Sequence, residues 1–247
     1  MQSTMMNVPL TTAAILRHGS SVHGSATVRT LQPDGSVKVA SFAEIGRRSA
    51  QLANALRGCG ITGDERVATF MWNNQEHVEA YCAVPSMGAV LHTLNLRLAS
   101  DQLVYIGNHA EDRVVILDGS LVPLLAPVLP HITSVHTVVV TGGVDLTPLH
   151  RDGLTVVGYE EFISAQPETF DWPDLDEQSA AAMCYTSGTT GTPKGVAYSH
   201  RSTYLHSMAA CAADGLRVGC DDRILAIVPM FHANAWGLVY AALMAGA

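Results

Sequence analysis

The chain has 247 residues, of which 48% are hydrophobic and 15% charged, and its net charge is −8 at neutral pH. This composition excludes an intrinsically disordered chain, and the acidic balance without a local Lys/Arg cluster excludes a nucleic-acid-binding protein. The length fits one large domain or two smaller ones.

The cysteines and the N-terminal sequence indicate in which cellular compartment the protein is expected. The cysteines are Cys59, Cys82, Cys184, Cys211 and Cys220. Their number is odd and none forms a C-x-x-C pair, so we expect free, mostly buried thiols in a reducing environment. The N-terminal sequence MQSTMMNVPL lacks the basic and apolar regions of a signal peptide. A cytoplasmic location is therefore expected.

The first predicted elements are a hairpin and a helix. Residues 26–40 form two mostly alternating runs around Pro33–Gly35, a turn-forming cluster. Ser41 and Glu44 then have the spacing of a capping box, which predicts a helix that begins there. The apolar face of this helix carries Ile45, Leu52 and Leu56.

A regular alternation of strands and helices follows. Strands are predicted at 66–72, 88–94, 113–117, 135–140 and 180–184, and helices at 75–87, 101–108, 122–129 and 199–213. Several strands are apolar on both faces, as in a parallel sheet covered by helices. The pattern predicts an α/β fold, with residues 142–178 as a looser surface excursion.

The last segment, from Ile224 to Ala247, contains 24 residues without Lys, Arg, Asp or Glu. By length it could cross a membrane, but Pro229, His232 and Asn234 interrupt it. The interpretation favoured is a buried strand at 224–228, a loop, and a buried helix at 237–247. Because the sequence stops within this apolar stretch, we expect it to be a fragment of a longer chain.

The stretch YTSGTTGTPKGV, residues 185–196, is rich in glycine and hydroxyl side chains and follows a predicted strand. Such a loop can turn several N–H groups toward an anion, while Lys194 adds a positive charge. It is not a Walker A loop, since Pro193 precedes the lysine and Gly195 follows it. The alternative is a flexible surface connector.

The longer string YTSGTTGTPKGVAYSH resembles the signature loop of the adenylate-forming enzymes: acyl-CoA synthetases, amino-acid adenylation domains and luciferases. A second string, PMFHANAWGLVYAALMAGA at 229–247, resembles the substrate-pocket segment of medium- and long-chain fatty acyl-CoA synthetases. A weaker similarity covers 72–98. Together these resemblances extend from about Leu10 onward and identify the N-terminal portion of such an enzyme.

The resemblance implies a two-step ligase reaction. A carboxylate attacks the α-phosphate of ATP, and coenzyme A thiol then displaces AMP from the acyl-adenylate. The residues that would hold the β- and γ-phosphates and Mg²⁺ are Thr186, Ser187, Gly188, Thr189, Thr190, Gly191 and Lys194. Thr186 is the candidate metal ligand, and Lys194 is also a catalytic candidate.

The resemblance also implies roles in the substrate segment. His232 would lie beside the acyl carboxylate and the α-phosphate, and Trp236 would wall or gate the acyl pocket. Asn234 is a further pocket candidate. The alternatives are a hydrogen-bonded core histidine and plain core packing. His200 is expected to cap or pack near a helix start, and His77, His92 and His109 have no metal-binding spacing.

The expected substrate is a carboxylic acid with an apolar tail of medium or long chain, as in fatty acid metabolism. The segment FHANAWG has no acidic residue that could pair with the ammonium group of an amino acid, and an unpaired ammonium is costly to bury.

The fold implied is a doubly wound parallel sheet at about 60–215, with part of a second α/β subdomain formed by 10–58 and 222–247. The family's downstream magnesium-binding Glu, ribose-binding Asp and C-terminal domain with its catalytic Lys are absent, so we expect these residues alone not to complete the reaction.

Four hypotheses remain at this point: an acyl-CoA synthetase, a truncated homologue that binds nucleotide or a partner chain, an aryl- or amino-acid-activating relative, and a membrane protein. The first is preferred. Its partners would be the fatty acid, ATP and CoA, without nucleic acid or an integral membrane segment. Loose membrane association and a homodimer are left open.

Overall fold

The computed structural model describes residues 1, 3–186 and 192–247. Its helices are α1 (Thr12–Val22), α2 (Phe42–Gly58), α3 (Gln75–Ser86), α4 (Ser100–Ala110), α5 (Val122–Leu125), α6 (Tyr159–Ser164), α7 (His200–Cys211) and α8 (Leu238–Ala245). Its strands are β1 (Thr27–Leu31), β2 (Val37–Ser41), β3 (Arg66–Phe70), β4 (Val90–Thr93), β5 (Asp112–Leu117), β6 (Thr137–Val140), β7 (Thr155–Gly158), β8 (Ala180–Thr186) and β9 (Lys194–Ser199).

The main sheet has the order β7-β6-β5-β3-β4-β8-β9. The first six of these strands are parallel, and β9 runs antiparallel to β8. Side chains alternate between two cores. In β5, Val114 and Ile116 join the core shared with α1, α2, α3, α6 and α8, whereas Val115 and Leu117 join the core beneath α4 and α5. The α/β, doubly wound parallel sheet is thus confirmed.

The N-terminal elements form as their local sequence predicts. β1 and β2 pair antiparallel, with Thr27 opposite Ser41. The Ser41 hydroxyl accepts a hydrogen bond from the Glu44 amide at 3.1 Å and begins α2. The side chains of Ile45, Leu52 and Leu56 are fully buried. The proposed division into 10–58 plus 222–247 and 60–215 stays a prediction.

Two regions contain more regular secondary structure than the sequence predicts. The excursion 142–178 contains β7 and α6, which add a strand at the sheet edge and a helix above it. Residues Lys194–Ser199 are a strand, not part of the connector between β8 and a helix. A hairpin partner for β8 lies only a few residues away, so backbone pairing overrides the local turn signals.

The predicted strand at 224–228 was wrong. Among the described residues this segment pairs with no strand, and the Ile227 amide bonds instead to the Leu225 carbonyl two residues earlier. Leu225 and Ile227 are 82% and 79% exposed. The predicted helix after it is present as α8. No helix within the described residues combines the length and apolar character needed to cross a membrane.

The helices that follow the neighbouring strands β3 and β4 pack in different cores. The helix that follows β3 is α3, whose Tyr81 and Val84 pack in the first core. The helix that follows the neighbouring β4 is α4, whose Leu103 and Ile106 pack in the second core. In open α/β sheets, ligands bind outside the carboxyl ends of such a strand pair, where the connections diverge.

Candidate active site

The strands β8 and β9, which pair antiparallel, contain the two ends of the signature sequence 185–196. Thr186 is the last residue of β8, Lys194 is the first residue of β9, and the two are directly opposite in the ladder. Both side chains are exposed. The predicted phosphate-binding residues Ser187, Gly188, Thr189, Thr190 and Gly191 lie outside the described residues. The base of the loop therefore brings a hydroxyl and an ammonium group together.

A pocket of about 350 Å³ lies between α7, the start of α8 and the segment that precedes α8. Its lining residues are Tyr198, Ser202, Thr203, His206, Ala233, Asn234, Trp236, Gly237 and Tyr240. Asn234 and Trp236 thus meet in one pocket, and the Trp236 side chain is 60% exposed. His232 is exposed and lies outside this lining.

The segment that carries the predicted substrate residues has an unusual backbone. Ala233, Asn234, Ala235 and Trp236 have φ angles of 44°, 49°, 48° and 55°, and Gly237 follows at 66°. This left-handed conformation costs an L-residue roughly 1–2 kcal/mol. A run of four such residues persists only where its surroundings hold it, which is common at functional sites.

The side chain of Asn234 connects this left-handed turn to the sheet. Its Oδ1 lies 3.2 Å from the Cys184 thiol, 3.4 Å from the Thr93 hydroxyl and 3.4 Å from the Tyr81 hydroxyl. Burial raises the pKa of the Cys184 thiol, although Thr93 and the backbone at Asn234 and Ala233 oppose this shift. The thiol therefore keeps its proton and can donate a hydrogen bond to Asn234 Oδ1.

The contact between Cys184 and Asn234 also relates the pocket segment to the base of the signature loop at Thr186. Cys184 is on β8, two residues before Thr186, which is about 7 Å along a strand. The pocket segment and the base of the signature loop thus share one anchor at the carboxyl edge of the sheet.

The other histidines considered from the sequence form hydrogen bonds within the fold. His200 is buried at the start of α7, and its Nδ1 accepts a hydrogen bond from the Thr12 amide at 3.3 Å. It therefore packs at a helix start, and burial lowers its pKa to about 4. His92 Nδ1 lies 2.7 Å from Asp112, and His109 Nδ1 lies 2.6 Å from the Tyr185 hydroxyl. Across the described ranges, no three His, Cys, Asp or Glu residues are placed to hold a metal ion.

Sequence reasoning missed much of the pocket. Ser202, Thr203 and His206 line it from α7, and their spacing on one helix face is the only signal that could have indicated this. Tyr81, Thr93 and Cys184 come from α3, β4 and β8, and no local pattern brings these three together.

The fold and the site define an α/β protein in which a pocket of about 350 Å³ lies beside the strand pair β8–β9 of the sheet. The family model described as "AMP-binding enzyme" matches residues 22–247. The chain belongs to this family.

Two curated relatives align over the whole chain. It is 43% identical to a 3-methylmercaptopropionyl-CoA ligase from Ruegeria pomeroyi, of which it covers 46%. It is 42% identical to a medium-chain-fatty-acid–CoA ligase from Ectopseudomonas oleovorans, of which it covers 45%. The chain therefore spans about half the length of these relatives.

A solved structure supports the fold. The crystal structure of an anthranilate CoA ligase in complex with anthranoyl-AMP superposes with a TM-score of 0.84 at 23% identity. The match covers all of this chain and 46% of that one.

Proposed function

We propose that this chain supplies the nucleotide loop and the acyl pocket of an ATP-dependent, AMP-forming acyl-CoA ligase. The observation that carries the proposal is the shared anchor, in which Cys184 on the strand that leads into the signature loop contacts Asn234 of the pocket segment at 3.2 Å. Both substrates of an adenylation step must meet, and this contact between the strand that leads into the signature loop and the pocket segment supports such a meeting.

Thr186 and Lys194 fit a polyphosphate. The ammonium group of Lys194 offsets phosphate charge, and the Thr186 hydroxyl offers an oxygen of the kind that Mg²⁺ accepts while the phosphates supply further ligands. In the proposal, Ser187, Gly188, Thr189, Thr190 and Gly191 add hydroxyl and backbone donors. Bound ATP with Mg²⁺ supplies an electrophilic α-phosphate for attack by the acid.

His232 and Trp236 act on the acyl side of the reaction in this proposal. His232 hydrogen-bonds near the reacting carboxylate, and Trp236 walls the pocket. Coenzyme A is the second cosubstrate, and its thiol displaces AMP.

The substrate class is proposed to be a plain carboxylic acid of medium or long chain. The pocket lining offers hydroxyls and aromatic rings from Tyr198, Trp236 and Tyr240 but no acidic side chain among the described residues. An α-amino acid would leave its ammonium unpaired there. The name of one curated relative, a medium-chain-fatty-acid ligase, supports this chain length, and that of the other, a 3-methylmercaptopropionyl ligase, supports a plain carboxylic acid.

We also propose the cellular location, the metabolic process and the domain organisation. The five cysteines are free, which supports a reducing, cytoplasmic environment. Fatty acid metabolism is the process served. The chain would form the N-terminal part of the AMP-binding region, with 10–58 and 222–247 in one subdomain and 60–215 in the other.

The chain has only two lysines, Lys38 and Lys194, which provides a matched pair for the test. Pyridoxal phosphate labels accessible lysines, and the modified residues are read by peptide mass spectrometry. We expect MgATP to protect Lys194 and leave Lys38 labelled. Equal labelling of both lysines at saturating MgATP would remove the phosphate role of the loop.

Activity is tested on the polypeptide that the gene encodes, by acid-dependent ATP–pyrophosphate exchange and by mass spectrometry of acyl-CoA. Octanoate, 3-methylmercaptopropionate and leucine are compared. Lys194→Met should lower exchange roughly 100-fold, since a charge that stabilises the transition state is lost. Lys38→Met, which breaks only a partly buried pair with Glu76 far along the chain from the signature loop, should leave it unchanged. Exchange that depends on leucine alone would contradict the substrate class.

A further inference from the structure

The segment 224–237 is held in place without regular secondary structure. It has no strand partner among the described residues, and its end adopts the left-handed conformation described above. Backbone ladders cannot therefore explain its position. Two asparagine side chains connect it to the carboxyl edge of the sheet: Asn73 contacts it from that edge, and Asn234, which belongs to the segment, contacts the edge from within it.

Asn73 acts on the first half of the segment. It lies in the connection after β3, and its Nδ2 donates to the carbonyl oxygens of Ala226 and Val228, both at 2.9 Å. Its Oδ1 accepts from the Met230 amide at 2.8 Å. One amide side chain thus bonds three alternate backbone positions, as the edge of a neighbouring strand would.

Asn234 acts on the second half. Its Oδ1 is surrounded by the thiol of Cys184 and the hydroxyls of Thr93 and Tyr81, which come from β8, β4 and α3. The Tyr81 hydroxyl donates its single proton to the carbonyl oxygen of Met230, and its oxygen lies 3.4 Å from Asn234 Oδ1. The same tyrosine therefore contacts both halves of the segment.

These anchors lie on both sides of His232 and shortly before Trp236. His232 lies between Met230 and Asn234, and Trp236 lies two residues beyond Asn234. The Trp236 carbonyl is further fixed by His206 Nε2 at 3.1 Å. A shift of either anchor would move His232 and Trp236 together relative to the signature loop.

We propose that Asn73 and Asn234 are positioning residues that clamp the segment 226–236 to the carboxyl ends of β3, β4 and β8 and so set the positions of His232 and Trp236. This inference rests on the proposed function for its catalytic consequence. The clamp itself can be observed without activity.

The variants separate the hydrogen bonds from the backbone conformation. Asn234→Gly tolerates the left-handed φ but removes Oδ1. Asn73→Asp keeps the Oδ1 acceptor and removes the two donated bonds. The matched control is Asn54→Asp, since Asn54 Nδ2 likewise donates to the carbonyls of Ala50, Pro167 and Thr169, outside the pocket.

The direct readout is ¹⁹F NMR of protein labelled with 5-fluorotryptophan. The chain has three tryptophans, Trp72, Trp172 and Trp236, and the variant Trp236→Phe assigns the last resonance. We expect Asn73→Asp and Asn234→Gly to shift or broaden the Trp236 resonance and to leave Trp172 unchanged. Asn54→Asp should leave Trp236 unchanged. An unaltered Trp236 resonance in both clamp variants, with native circular dichroism, would overturn the proposal.

The kinetic readout uses the same variants in the acid-dependent assay. We expect kcat with octanoate to fall about 10- to 100-fold, since small misplacements of reacting groups are costly, while the KM for ATP changes less than about threefold. Cys184→Ser, which keeps a donor to Asn234, should retain most activity. Equal losses in Asn54→Asp would assign the effect to stability alone and overturn the proposal. A wild type without any acid-dependent exchange would overturn the proposed function instead, and the NMR result would then decide whether the clamp exists.

Discussion

Two apolar stretches of similar composition have opposite structures. Residues Asp112–Leu117 form β5, which pairs with β3 on one side and β6 on the other, and Val114 to Leu117 are fully buried. Residues Ile224–Val228 are all apolar, like Val114 to Leu117, yet they form no strand and expose Leu225 and Ile227. Hydrophobicity predicted the same element for both.

The difference is explained by hydrogen-bond partners. The backbone groups of β5 are satisfied on both sides by neighbouring strands, whereas the segment 224–237 depends on the side chains of Asn73 and Asn234. A strand is stable only as part of a sheet, since unpaired backbone groups must otherwise find other donors and acceptors. The predictions below test whether the two regions differ in energy as they do in structure.

The largest expected difference comes from truncating one isoleucine in each region. Ile116→Ala in β5 should lower the free energy of unfolding by about 2–5 kcal/mol, because it leaves a cavity in a closed core. Ile227→Ala should change it by less than about 0.5 kcal/mol, because that side chain already contacts water. Urea unfolding of the 247-residue chain measures both, and a large loss at Ile227 would contradict the contrast.

A pH dependence is expected from the packed region. His77 donates from Nδ1 to the Trp72 carbonyl at 3.0 Å and lies 2.9 Å from the Thr69 hydroxyl. Burial lowers its pKa from 6.5 to about 4. Between these values the unfolded chain binds a proton that the folded chain does not, so stability falls as pH decreases.

The size of this effect is about 2 kcal/mol between pH 8 and pH 5. Unfolding free energies of wild type and His77→Gln are measured across that range. The variant should lose stability less steeply toward pH 5, whatever its stability at pH 8. Parallel slopes for the two proteins would contradict the assignment.

The smallest expected effect comes from glycine substitutions, which should change the free energy of unfolding in opposite directions in the left-handed turn and in β8. Ala233→Gly should raise the free energy of unfolding by about 0.5–1 kcal/mol, because glycine relieves the left-handed φ of 44° at some entropic cost. Ala182→Gly in β8 is the matched change at a buried, extended residue, and it should lower stability by about 1 kcal/mol. Urea midpoints that move in the same direction would show that the left-handed turn is not strained.

The sequence named candidate site residues, whose roles stay predictions, but not the residues that surround them. Thr186, Lys194, Asn234 and Trp236 could be named because their motifs are contiguous in the chain. The residues that anchor the pocket segment, Asn73, Tyr81, Thr93 and Cys184, are spread over more than one hundred positions, and no local pattern brings them together. Their association depends on strand order, which local sequence does not encode.

The sequence by itself determined the α/β class, the hairpin around Pro33–Gly35, the Ser41 cap of α2 and the apolar strands of the sheet, since each depends on residues close in the chain. Only the tertiary structure decided that Lys194–Ser199 pairs with β8, that Ile224–Val228 is not a strand, and that residues 233–236 are left-handed. The physical reason is common to all three. Backbone groups take whichever partners the folded chain brings near, and those partners lie outside the segment whose conformation they determine.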